Sequence, residues 1–430
     1  MMVAENLHED KKTTLSHGRL GWVVCFVCLF ANFSCGGPAL AYGIILPALN
    51  DYFEEGVFII SLVGSVFMAI GFAVGPIAAY MTNKIGLRLV YILGSFIFSV
   101  SIISATFSPN PLMLLLTYGV LAGIGSGILL LPATVGCNFY FETKRAFANG
   151  IAKTGISLGI FVYPPMTNFV LERYDWKAVG YLYAAIIFLG CFLGILIKPP
   201  APVEIGKTED RIDYESERKA KSFELPISSK KSIWCKSSLL LFTLHRMIAN
   251  FSLPIFFMFL PILLMDLGFT LEDASFMVMV SGITNTISRF VSGFIMDHPR
   301  LNKFLFISIG LFLQAIILFV YPFCDQYIVL MIFSGLSGAL IAPFQIGMAI
   351  IVGEMLPVEK VASVCGIISL AQGVGSMVGP PLAGFIYDHA KNHIIIFFIV
   401  GLGYVCSGVS CWLSGYLYYR CKKIDQKEAI

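Results

Sequence analysis

The 430-residue chain is 57% hydrophobic and 13% charged, with a formal net charge of +3. Globular domains carry about 25% charged residues, so a soluble fold of this length could not hide so much apolar surface. A bilayer can, because it replaces water around the outer face. So small a net charge gives no basis for nucleic-acid binding, and its distribution says more than its sum.

Met1 to Ser16 is polar and mixed in charge. The apolar run that follows is far longer than the roughly 7–15 residues of a signal-peptide core, so it is expected to stay as the first span. Twelve apolar runs near the length that crosses the hydrocarbon can be placed at 20–48, 57–80, 88–107, 112–138, 146–171, 178–197, 237–264, 272–296, 302–322, 327–353, 362–387 and 394–418. Gly36-Gly37-Pro38 interrupts the first, Pro132 the fourth, and Pro254 and Pro261 the seventh. Such breaks survive in lipid where neighbouring helices or a water-filled cavity satisfy the freed backbone groups. Lys198 to Lys236 is the one long polar stretch between spans and reads as a linker. The expected fold is an all-α membrane protein of twelve transmembrane helices. Its parts are an N-terminal tail (1–19), a six-helix bundle (20–197), a central loop (198–236), a second six-helix bundle (237–420) and a C-terminal tail (421–430).

Lysine and arginine orient the chain. Of the 29, 23 fall in the tails, the central loop and the even-numbered turns, only Arg173, Lys177 and Lys391 fall on the other side, and three lie within spans. The positive-inside rule then puts both termini in the cytoplasm.

The two halves repeat each other. Lys144, Gly150, Gly159, Pro164 and Pro165 recur 216 positions later as Lys360, Gly366, Gly375, Pro380 and Pro381. Ala31-Asn32-Phe33-Ser34 recurs as Ala249-Asn250-Phe251-Ser252, offset 218. Parallel repeats of six spans mark a transporter that rocks two bundles, related by a pseudo-twofold axis, around a central site. The Asn-x-Ser triplets in those tetrapeptides lie inside spans and read as buried polar positions. Gly150, Gly155 and Gly159 in span five, and Gly366 and Gly375 with Pro380 and Pro381 in span eleven, allow close backbone approach in lipid. They serve either a moving seam between bundles or static packing.

Eleven cysteines lie almost entirely in apolar runs. Cys25-Phe26-Val27-Cys28 sits inside a span without further ligands, so it reads as two small apolar residues and not a metal or redox pair. The chain shows no nucleophile–base constellation or phosphate loop, and neither an enzymatic activity nor a cofactor is expected.

All 26 acidic residues fall near span ends or in loops, whereas Lys153, Arg246 and Arg289 lie within spans. At 1.5 Å per residue each is roughly 12–14 Å from the cytoplasmic end of its helix. A charge at that depth costs several kcal/mol and normally faces a partner or a water-filled cavity. With no intramembrane carboxylate to pair them, a small anionic solute supplies the counter-charge; the competing explanation is snorkelling to the headgroups. Each cation sits on a polar stripe at helical spacing: Ser281, Asn285, Ser288, Arg289 and Ser292; Asn149, Lys153 and Ser157; Thr243, Arg246 and Asn250, with His245 adjacent.

Tyr140-Phe141-Glu142-Thr143-Lys144-Arg145-Ala146-Phe147-Ala148-Asn149-Gly150-Ile151-Ala152, with Gly155 and Gly159, resembles the fifth-helix signature of animal monocarboxylate transporters of the major facilitator superfamily. In the first helix Gly18, Gly21 and Trp22 fit that family, whereas His17 and Leu20 do not. Arg289 matches the family's substrate-binding arginine of the eighth helix. The resemblance implies the major facilitator fold, a plasma-membrane location and the possibility of a single-span accessory glycoprotein. Two departures stand out. Proton-coupled members carry a lysine in the first helix, where this chain has Gly36-Gly37-Pro38-Ala39-Leu40, and an aspartate one turn before the arginine, where this chain has Asn285.

The expected function is alternating-access transport of a monocarboxylate or related carboxylated solute. Arg289 pairs with the carboxylate, Asn285 and Asn32 orient it, Asn250 and Arg246 complete the site, and Lys153 stands in for the absent lysine with a possible role in H+ uptake. The alternative is a receptor, sensor or partner subunit that keeps the transporter fold without transporting.

Overall fold

The computed structural model describes residues 2–141, 145–197, 230–298, 300–356 and 358–428. The central loop up to Ser229, and Lys144 of the repeat, lie outside them. The described elements are helices: α1 (Met2–Leu40), α2 (Tyr42–Phe53), α3 (Val57–Ala73), α4 (Gly75–Ile85), α5 (Leu87–Thr106), α6 (Pro111–Leu114), α7 (Ala122–Val135), α8 (Arg145–Leu171), α9 (Trp176–Ile195), α10 (Lys230–Asp266), α11 (Leu271–Met296), α12 (Lys303–Val320), α13 (Tyr327–Met355), α14 (Val358–Ala390) and α15 (His393–Glu428). A π-helical stretch, Leu115–Leu121, joins α6 to α7.

Among the described residues nine helices are long and apolar enough to cross a membrane, or ten if the pair Val57–Ala73 and Gly75–Thr82, bent by 41°, is one span. The count by hydropathy is thus at most ten, two short of the twelve expected. The shortfall falls on α8 and α11, of 27 and 26 residues, whose polar stripes carry Lys153 and Arg289.

Contacts divide the helices into two bundles with matching internal pairs. In the first half α1 packs on α8 and α5 on α9; in the second, α10 packs on α14 and α12 on α15. Two large seams join the halves, α3 against α14 and α8 against α11, with a smaller crossing of α2 on α10. A twofold that exchanges the bundles also exchanges these seams, as the repeats require.

The repeat register needs one correction. A Cβ at Gly155 would stand 2.1 Å from Leu29 O and 2.9 Å from Phe33 N, and one at Gly375 would stand 2.1 Å from Met247 O and 3.0 Å from Phe251 N. Gly155 and Gly375 are therefore the equivalent pair, 220 positions apart, although the tetrapeptides they pack on keep the offset of 218. Gly159 likewise pairs with Gly379. One helical turn separates this register from the 216 read from the Pro-Pro pairs; a shift of about one turn leaves the same face toward the neighbour.

The same contacts place Gly155, Gly159 and Gly375 inside their own bundles. Gly150 and Gly366 have nothing within 4 Å of a built Cβ. Close approach across the seams falls instead to Gly282, whose Cβ would stand 2.5 Å from Phe161 N, and to Gly384, 2.8 Å from Phe58 Cα.

The prolines break less than their positions imply. Pro132 lies within α7, Pro254 and Pro261 within a continuous α10, and Pro164, Pro165, Pro380 and Pro381 within α8 and α14. A helical proline deprives the carbonyl four residues earlier of its donor. For Pro254 that carbonyl is Asn250 O, which accepts from Ser376 Oγ at 3.2 Å. For Pro343 it is Ala339 O, which accepts from Ser288 Oγ at 2.7 Å. The first span does break as expected, at Ala41 after Pro38.

At the end of the bundles remote from the termini, Asp388 of α14 accepts from Val57 N at 3.0 Å and Phe58 N at 2.8 Å. The preceding Gly56, with φ of 88°, offers no side-chain cap. The second bundle therefore caps a helix of the first. Phe58 and Phe385 meet edge to face beside it, centroids 6.3 Å apart.

Candidate functional site

The polar seam between α8 and α11 builds the site. Asn285 and Arg289 are one turn apart on α11, 2% and 5% exposed. Asn285 is fixed first: its Nδ2 donates to Gly338 O of α13 at 2.7 Å, and its Oδ1 accepts from Ser157 Oγ of α8 at 2.6 Å. Gly338 permits this because α13 lies against α11 there; a Cβ on it would stand 2.0 Å from Ser281 O.

The Asn285 amide then aims the arginine. Arg289 Nε donates to Asn285 Oδ1 at 3.0 Å, Nη1 donates to Lys153 O at 2.8 Å, and Nη2 donates to Gln345 Oε1. Three neutral acceptors from three helices orient the guanidinium, and none of them neutralises it. Burial this deep by residues of the opposite bundle is not the geometry of a side chain reaching for headgroups.

Arg246 of α10 is buried as deeply, 4% exposed. Its Nη1 donates to Phe344 O at 2.5 Å, and its Cζ lies 4.0 Å from the Phe344 ring centroid, a cation–π contact. Its Nε is buried without a hydrogen-bond partner among the described residues. The anchors of the two arginines, Phe344 and Gln345, are consecutive on α13. Lys153 lies within electrostatic reach of both guanidinium groups, and Cys365 lies close to Lys153 and Arg246. No hydrogen-bond or ion-pair partner of Lys153 Nζ is found among the described residues. The three cations singled out in the sequence therefore converge on Lys153, with no carboxylate among them from the described residues.

His245, fully buried, points the other way. Its Nδ1 is 2.8 Å from Ser407 Oγ on α15, and its ring meets Phe344 edge to face at 5.6 Å.

The two other asparagines are used elsewhere. Asn32 Nδ2 donates to Cys28 O at 2.9 Å and Ala133 O at 3.4 Å, tying α1 to α7. Asn250 Nδ2 donates to Arg246 O at 2.9 Å. Both are buried, as read for the Asn-x-Ser triplets, but their amides serve backbone carbonyls rather than the arginine cluster. Cys25 and Cys28 are buried beside Ala148 O and Pro132 O, and no group of three potential ligands for a metal ion occurs among the described residues.

Gln345 and Phe344 were not found from the sequence. A neutral amide in an apolar run is the only signal Gln345 offers. The parts of the two family signatures do meet: Trp22 packs edge to face on Phe141 and Phe147, centroids 5.2 and 6.2 Å away.

Comparison with known proteins agrees with this architecture. The model of the Major Facilitator Superfamily matches residues 22–327 and 300–423. Similar relatives include monocarboxylate transporter 9 of Pongo abelii, 25% identical over 91% of this chain and 92% of that one. Monocarboxylate transporter 3 of Rattus norvegicus is 26% identical over 94% and 82%. Among solved structures a D-xylose–proton symporter superposes with a TM-score of 0.72 at 14% identity, covering 91% of this chain and 97% of that one. A peptide transporter in complex with sulfate gives 0.69 at 14%, covering 91% and 95%. The chain belongs to the Major Facilitator Superfamily, and it is a multi-pass secondary transporter of the monocarboxylate-transporter branch rather than an enzyme.

Proposed function

We propose that the chain carries a small carboxylated solute across the plasma membrane by alternating access, with both termini cytoplasmic. The observation that carries this reading is the Arg289 guanidinium: buried at the seam, held by Asn285, Gln345 and Lys153 O, and lacking a counter-ion among the described residues. A carboxylate replaces Lys153 O and Gln345 as the acceptor of the two Nη groups in a bidentate pair. Because Lys153 O belongs to the opposite bundle, that exchange releases one tie across the seam. Solute binding and rocking are thereby linked through a single side chain. The Asp388 cap at the end remote from the termini supports access to the site from the cytoplasmic side.

Asn285 stands where the proton-coupled pattern has an aspartate, so any H+ taken up with the solute moves by another group; Lys153, which has no acceptor among the described residues, is the proposed carrier.

The test is uptake of labelled monocarboxylates into liposomes holding the purified protein. Arg289→Ala is expected to lower uptake more than a hundredfold, given roughly 3 kcal/mol for one buried charge-assisted pair, with unchanged incorporation. Undiminished uptake in that variant removes Arg289 from the site. Solute binding without transport by the parent protein supports the receptor reading instead.

A further inference from the structure

We propose that the preferred solute is a dianion, a short-chain dicarboxylate in which one carboxylate pairs with Arg289 and the other with Arg246. This rests on the carrier reading above and deepens it.

The argument is a charge count at one place. Arginine keeps its proton throughout the accessible pH range. Arg289 and Arg246 therefore bring two fixed positive charges to the site whatever the state of Lys153. Both are at least nine-tenths buried, and neither forms an ion pair among the described residues. A buried charge without a counter-charge is costly, and hydrogen bonds to neutral acceptors offset only part of it. One carboxylate neutralises one guanidinium and leaves the other unmatched.

Position makes the second arginine part of the same site. Its anchor Phe344 is the residue before Gln345, the anchor of Arg289, so both guanidinium groups are held by the same turn of α13. Lys153 reaches both electrostatically from the opposite bundle. The Arg246 Nε, buried without an acceptor among the described residues, is a donor still to be satisfied. Fixed to Phe344 through its carbonyl and ring, Arg246 is preorganised, which reduces the entropy lost on binding a second anionic group.

Succinate and butyrate have the same four-carbon chain and differ by one carboxylate, so their ratio isolates the second charge. The protein in liposomes is expected to take up succinate at least tenfold more efficiently than butyrate. Arg246→Gln, which can still donate to Phe344 O, is expected to lower the succinate-to-butyrate ratio about tenfold. Arg246→Lys retains the charge and should keep most of the preference. If butyrate enters and succinate does not, or if Arg246→Gln leaves the ratio unmoved, the dianion proposal fails while the carrier reading stands. If a folded, reconstituted protein moves neither solute, both fail.

Discussion

The two seams joining the bundles are exchanged by the pseudo-twofold, yet their chemistry is unlike. Between α3 and α14 the contacts are small and aromatic, with Gly384 against Phe58, Gly373 against Ala69, and the Asp388 cap at the rim. Between α8 and α11 they are polar: Ser157 bonds Asn285, and Arg289 bonds Lys153 O. Duplication supplied two equivalent crossings. One became a latch made of a helix cap, the other a charged crossing, the proposed solute site. Backbone geometry is what the repeat conserved; the division of work lies in a handful of side chains.

The comparison can be broken most severely at Gly282. An added Cβ meets Phe161 N at 2.5 Å and Ile160 C at 2.7 Å, both backbone atoms that cannot swing aside. At Gly373 of the other seam the nearest atom is Ala69 O, at 3.0 Å. Gly282→Ala is expected to destabilise by about 1–3 kcal/mol and to abolish uptake, and Gly373→Ala by clearly less. Melting of the detergent-solubilised variants gives the order; equal losses would mean that the two seams are packed alike.

An intermediate effect is expected from Asn285→Asp. The ionised carboxylate has no donor for Gly338 O and faces that carbonyl at the 2.7 Å now bridged by an N–H. Protonation restores a donor and with it the orientation of Arg289. Uptake by the variant should therefore rise as pH falls, by about tenfold, against the profile of the parent measured in the same liposomes. A variant profile parallel to the parent's would mean that the amide's bond to α13 does not position the arginine.

The smallest effect belongs to the latch. Asp388→Ala leaves Val57 N and Phe58 N to water, a loss of about 0.5–2 kcal/mol typical of a helix cap. This end of the bundles should open more often, seen as faster labelling of a cysteine placed at Ser61 by an impermeant maleimide. Labelling at the parent rate would show that the cap does not hold that end shut.

Much of this was legible in the sequence because the bilayer makes it so. Apolar runs, the lysine and arginine asymmetry and three cations without carboxylates are properties of single segments. What escaped was set between segments. Gln345 gains its meaning only from Arg289, 56 positions away, and Asp388 only from an N-terminus 330 positions earlier. Asn32 and Asn250 carried the same sequence signal as Asn285, but the carbonyls nearest them claimed their amides. The offset of 216 misled by one turn because prolines mark where a helix can lose a bond, not which face it packs.

The continuity of α10 through its prolines carries a consequence for biosynthesis. Pro254 frees Asn250 O, and the donor that satisfies it, Ser376, is made 122 residues after the proline. At about 5–20 residues per second the ribosome needs roughly 6–24 s to deliver it. Through that interval the seventh span sits in the membrane with an unclaimed carbonyl, free to bend or to recruit water. Its final form is thus settled by the arrival of the eleventh span, so the second bundle matures as one late event rather than helix by helix.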